Sequence, residues 1–231
     1  MSPRPQRPHQ PYGTPDAPQV SVRGEARHEA DPEIARISIT VNARGTDRRT
    51  ALTDLTTRNH QVLELVKSYP DAVEKLETGA FSIVPQLAKG RAERVRSYLG
   101  TVHITATLTD FTALGELVTR LADLDLTTVS GPWWALRPDS PAHREARRRA
   151  VHDAVQRARE YAEALGARPL ALLELTDQDA DHRPPMPMAP GGARYRGAAA
   201  HDAPEALDLE PRRQTVYAHV NARFTITRPE L

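Results

Sequence analysis

Two apolar periods alternate along the chain. Ile37, Ile39 and Val41 are interleaved with Arg36, Ser38 and Thr40, the two-residue repeat of a strand with one buried face. The stretch "ADPE" before them breaks the chain, and "QVSVRGEARHEA" upstream reads as a first strand. The repeat returns through Val102, Ile104, Ala106 and Leu108, and in "FSIVP", where Phe81, Ile83 and Pro85 fall on one side. It is most regular near the end. Val216, Ala218, Val220, Ala222, Phe224 and Ile226 share one face there; Tyr217, His219, Asn221, Arg223 and Thr225 share the other. A stretch that regular is expected to pair inside a sheet. "LTTVSGPWWAL" and the leucine-rich "RPLALLELTD" are two further strands.

Between the strands the period lengthens to that of a helix. Residues 46–69 place Ala51, Leu52, Leu55, Val62, Leu63 and Val66 on one face, with Thr46 or Asp47 as the cap. A second helix opens at Asp110 and carries Leu114, Leu117, Val118 and Leu121. The third is the longest. Ser140 caps it, Pro141 occupies its first turn, and Gly166 ends it. Ala142, Ala146, Ala150, Ala154, Ala158 and Ala162 step along it by four, a stripe that lets the helix backbone approach a neighbour closely. The order is strand, strand, helix, strand, strand, helix, strand, long helix, strand, loop, strand. It predicts an α+β fold, an antiparallel or mixed sheet with long helices packed on one face.

Composition limits the rest. The 231 residues suit one large domain or two small ones. A net charge of +1 gives no global attraction to nucleic acid or to an acidic membrane. Without cysteine there are no disulfides, thiolate metal sites or cysteine nucleophiles. Proline-rich residues 1–19 are expected to form a disordered arm, read first as a solubilising tail, with a docking segment for a protein partner as the alternative. Residues 177–208, rich in proline, glycine and alanine, read as a flexible insertion in a domain spanning 20–228, and "KGRAERV" as a charged hairpin connection. No segment has the length and apolarity of a membrane span, and the opening stretch lacks a secretory apolar core. These features predict a cytoplasmic protein with no membrane partner.

Candidate chemistry is sparse. On the long helix Arg144, Arg148 and Arg159 alternate with Glu145, Asp153, Glu160 and Glu163. Pairs at that spacing form a mixed-charge solvated face rather than a nucleic-acid grip. Nine histidines occur, but none in an H-x-x-x-H or H-E-x-x-H spacing. His182, Met186 and Met188 form a soft-donor set in a stretch that reads as surface loop. No nucleophile elbow or phosphate-binding loop is present. No catalytic, cofactor-binding or metal residue is therefore assigned. Trp133 and Trp134 are the most unusual pair. Adjacent strand positions point to opposite faces, so one ring can enter the core while the other lines a ligand groove or an interface.

Several short stretches, in order, resemble the bacterial SIMPL-domain family, also called domain of unknown function 541. Val22, Gly24 and Glu25, then Pro32, Glu33, Ile34 and Ala35, are similar to its first hairpin. Thr78, Phe81, Ser82, Ile83 and Pro85 resemble its T-x-x-F-S-I-x-P strand. Tyr98, Asp110, Leu114 and Gly115 match a strand leading into a D-x-x-x-L-G helix, and the alanine-spaced helix and last strand also fit. The resemblance covers residues 20–228. It implies an α+β fold, no established catalytic residues, a loose association with stress response and, in some relatives, ring-like self-assembly. The expected function is that of a non-enzymatic, self-associating scaffold or interaction protein without a cofactor. It would associate through strand edges or the alanine-faced helix. The alternative is a small-ligand binder or enzyme with a groove near Trp133 and Trp134.

Overall fold

The computed structural model describes residues 13–88, 95–177 and 207–230. Most of the proline-rich arm, the charged connection and nearly all of the 177–208 insertion lie outside the described residues, as do His182, Met186 and Met188. Among the described residues ten elements follow in the predicted order. They are β1 (Gln19–Ala30), β2 (Ile34–Gly45), α1 (Arg48–Lys67), β3 (Val73–Leu87), β4 (Val95–Leu108), α2 (Phe111–Ala122), β5 (Thr127–Ala135), α3 (Pro141–Ala164), β6 (Pro169–Asp177) and β7 (Gln214–Ile226). The class is α+β. The strands divide between two sheets, ordered β1-β7-β6 and β3-β4-β2-β5. Each sheet belongs to its own compact unit. Period-two alternation looks the same in one sheet or two, so the division is a structural finding.

In the unit built on the four-stranded sheet, β2 pairs antiparallel with both β4 and β5. Ile37, Ile39 and Val41 face Ala106, Ile104 and Val102 in register, and all six are buried. Each large side chain of that set contributes about 1.5–3 kcal/mol by leaving water. Helices α1 and α2 lie on this face and add Leu55, Val62, Val66, Leu114, Leu117 and Leu121 to one core. Asp47 caps α1 by accepting from the Thr50 amide at 2.9 Å. Asp110 caps α2 by accepting from the Thr112 and Ala113 amides. Leu52 departs from expectation. It is 44% exposed, because it follows Ala51 by one residue and so turns about 100° away from the buried line. Phe81, grouped by the alternation with Ile83, is 57% exposed. It lies opposite buried Val102, on the core side of the sheet, in the part of β3 beyond a register shift between Thr78 and Phe81 where the strand is largely exposed.

The other unit places β7 in the middle of its sheet, as its regularity requires. Ala218, Val220, Ala222, Phe224 and Ile226 are buried, and α3 covers this face. All six alanines of the α3 stripe are buried, and the five from Ala146 to Ala162 pack in clusters with Val22 and the inward residues of β7. Ser140 accepts from the Ala142 amide, and Pro141 follows at the start of the helix. At the other end Gly166 has φ +66°. Its amide donates to Glu163 O at 2.9 Å and the Ala167 amide to Ala162 O at 2.8 Å. That pair of bonds closes a Schellman turn. Residues 13–18, placed in the arm by composition, include a tight turn in which Thr14 and Ala17 exchange backbone hydrogen bonds.

Candidate functional site

Trp133 and Trp134 lie at the end of β5, an edge strand. Uninterrupted pairing from Ile39↔Val129 would put Gly131 and Trp133 on the core face. The register shifts between Arg36 and Ser38 instead, so Ala35 faces Trp134 and Arg36 faces Trp133. Residues directly opposite across a ladder share a face. The shift therefore turns Trp134 inward and Trp133 outward. Gly131 permits it with φ +109°, where an added Cβ would meet Arg36 O at 2.9 Å. The Trp134 ring stands edge-on to Phe111, centroids 4.7 Å apart at 75°, and joins the core around α2. Both rings are half-buried. Phe111 also borders a cavity of ≈ 380 Å³ shared with Thr112 and residues 207–211.

The sequence motifs acquire physical roles in the packing. Gly115 faces the returning chain: a Cβ there would stand 2.3 Å from Leu207 O. The Leu207 amide donates to Thr119 Oγ1 at 3.0 Å, and Leu209 packs on the core. Glu33 accepts from the Arg137 amide at 3.0 Å, tying the chain after β5 to the start of β2. These residues of the family pattern build contacts between elements and do not converge on a reacting centre.

Charged side chains pair locally. Glu145 accepts from Arg148 at 2.8 Å and from Arg149 at 2.7 Å, and these two hydrogen bonds, Arg148's first, lower its pKa from 4.5 to about 2. Arg157 pairs with Asp153 at 2.9 Å. The mixed-charge face expected on α3 is present. Burial, followed by its hydrogen bond to Glu116, raises the Tyr69 pKa. Its hydroxyl donates to Glu116 at 2.7 Å and accepts from Arg120 at 2.8 Å. His103 Nδ1 lies 3.0 Å from Thr40 Oγ1 on the polar face of its sheet. Among the described residues no three His, Cys, Asp or Glu side chains form a group that could hold a metal ion.

Sequence reasoning read β6 only as a strand. Its leucine run lacks polar alternation, a pattern that suggests burial on both sides. Yet Leu170, Leu172, Leu173 and Leu175 are 67%, 52%, 49% and 46% exposed. β6 is an edge strand. Its register against β7 shifts between Pro169 and Ala171 and again between Leu172 and Glu174, leaving Leu170 and Leu173 as the inserted residues. Leu172 and Leu175 pair with buried Phe224 and Ala222, so they point to the side of the sheet that α3 covers elsewhere. Four large apolar side chains on one nine-residue edge strand are unusual for a surface that meets only water.

The two sheets, one packed with α1 and α2 and the other with α3, define an α+β protein. The chain belongs to the SIMPL family, described as "Protein of unknown function (DUF541)", whose family model matches residues 20–224. It is 23% identical over 215 residues to the "26 kDa periplasmic immunogenic protein" of Brucella melitensis, covering 90% of this chain and 84% of that protein. The protein of the same name from Brucella abortus matches with the same identity and coverage. Among the described residues no helix is long and apolar enough to cross a membrane.

Proposed function

We propose that the protein is a non-enzymatic interaction protein that self-associates through the leucine-bearing edge of β6. The observation that carries this reading is the exposure of Leu170, Leu172, Leu173 and Leu175 on one short edge strand. The alanine face of α3, the other candidate surface, is consumed inside its own unit. That leaves β6 as the stronger surface. The two register shifts in β6 disturb its ladder and work against simple extension of the sheet by another strand. Association would proceed by burial of the leucine side chains. Multi-angle light scattering of the wild type beside a Leu170→Glu/Leu173→Glu variant tests it. Both positions are exposed, so the variant is expected to fold and to dissociate. An unchanged mass removes the reading.

The alternative is a small-ligand groove. The cavity of ≈ 380 Å³ beside Phe111, whose ring packs on Trp134, favours it, and a thermal-shift screen whose hits Phe111→Ala abolishes would support it. On compartment, the relatives' names favour the periplasm over the cytoplasmic location expected from the opening stretch; cell fractionation separates the two. A role in stress response rests on the family resemblance, and survival of a deletion strain under oxidant would test it.

A further inference from the structure

The outer face of the three-stranded sheet is open and polar. A cavity of ≈ 390 Å³ there is lined by Ser21 and Arg23 of β1, Asn221 and Arg223 of β7, and Glu174 and Thr176 of β6. The register sets Glu174 opposite Arg223 and Thr176 opposite Asn221. Arg223, on the central strand, also borders a second cavity of ≈ 320 Å³ closed by residues 13–19. The first volume lies in the range that holds small molecules. Two guanidinium groups, an amide and two hydroxyls in one concavity offer several N–H and O–H donors.

We propose that this face binds a small oxyanion-bearing ligand, a carboxylate or a phosphate, through Arg223 and Arg23. Arg223 Nη1 now lies 3.4 Å from Glu174 Oε2, and Arg23 Nε 2.9 Å from Glu25 Oε1. Arg223 is the more enclosed partner, its side chain 33% exposed against 55% for Glu174. The Glu174 carboxylate therefore has more room to turn into water than the Arg223 guanidinium. Exposed pairs of this kind are weak, and a guanidinium fork binds carboxylate or phosphate with two parallel hydrogen bonds. An arriving oxyanion takes the position of Glu174, which acts as an internal competitor. Asn221, Thr176 and Ser21 supply further donors. The site does not depend on self-association through the β6 leucines.

Isothermal titration of the full chain at low ionic strength, with citrate and inorganic phosphate as separate probes, tests this. Saturable one-to-one binding of either probe is expected, citrate alone marking a carboxylate site and phosphate alone a phosphoryl site. Arg23→Gln, at an exposed position, should weaken binding roughly tenfold, the loss of one charged hydrogen bond. Arg223→Gln should abolish it. Glu174→Gln, also exposed, should tighten it, which a purely structural role for these residues would not do. The absence of saturable heat from both probes overturns the proposal. So does binding that Arg23→Gln and Arg223→Gln leave unchanged, or that Glu174→Gln weakens while circular dichroism shows the variant folded.

Discussion

Gly24 and Ala150 are in backbone contact: a Cβ on Gly24 would stand 2.1 Å from the Ala150 carbonyl oxygen and 2.6 Å from the Ala154 amide nitrogen. The alanine stripe of α3 and a glycine of β1 are therefore two halves of one device, a helix laid directly on a strand. Gly24→Ala cannot be absorbed by a side-chain rotation, because the atoms it meets are backbone. It is expected to destabilise the unit by about 3 kcal/mol, the upper end for overpacking. Urea denaturation of the variant checks this.

Gly115 gives a prediction whose sign is opposite to helix propensity. In an exposed helix Gly→Ala stabilises by about 1 kcal/mol. Here the new Cβ would meet Leu207 O at 2.3 Å. Gly115→Ala should instead lower the melting temperature and speed amide exchange at Leu207, whose N–H now donates to Thr119.

The two tryptophans should respond unequally. Trp134 packs on Phe111 and the core, so Trp134→Ala is expected to cost roughly 2 kcal/mol, about half the value for a fully buried ring. Trp133→Ala should cost less, because its ring is half-buried on the outer face and joins no core cluster. Equal losses would contradict the inward turn of Trp134 at the Gly131 register shift.

Glu145 supplies the pH dependence. Its pKa falls from 4.5 to about 2 in the folded chain, chiefly through Arg148 and then Arg149. A depressed carboxylate pKa stabilises the fold above the unfolded value, and that contribution is lost as pH falls through the folded value. The stability difference between wild type and Glu145→Gln should be constant above pH 4.5 and shrink toward pH 2. Chemical denaturation across that range measures it. The pair is solvent-exposed, so the difference should be small and salt-sensitive.

Much of the fold was legible because each element carried a complete local signature. Asp110 and Ser140 announced helix starts, Gly166 a helix end, and β7 its buried face, since caps and alternation are local properties. What escaped was non-local. The partition into two sheets leaves no mark on a period of two. Leu52 matched an apolar pattern but sits one helical step off the buried line, and Phe81 keeps the core side opposite Val102 on a stretch of β3 that is largely exposed. At the candidate surface, the leucine run of β6 was visible, but its exposure depends on edge position and on how far α3 reaches across the sheet. The choice between Trp133 and Trp134 hung on a bulge that Gly131 permits and that alternation alone would not reveal.

Native mass spectrometry of the full chain beside a Leu172→Glu/Leu175→Glu variant is the most direct measurement of self-association through β6. The wild type is expected to fly as a discrete oligomer and the variant, with an unchanged circular dichroism spectrum, as a monomer. A monomeric wild type, or an oligomer that survives both substitutions, would contradict it.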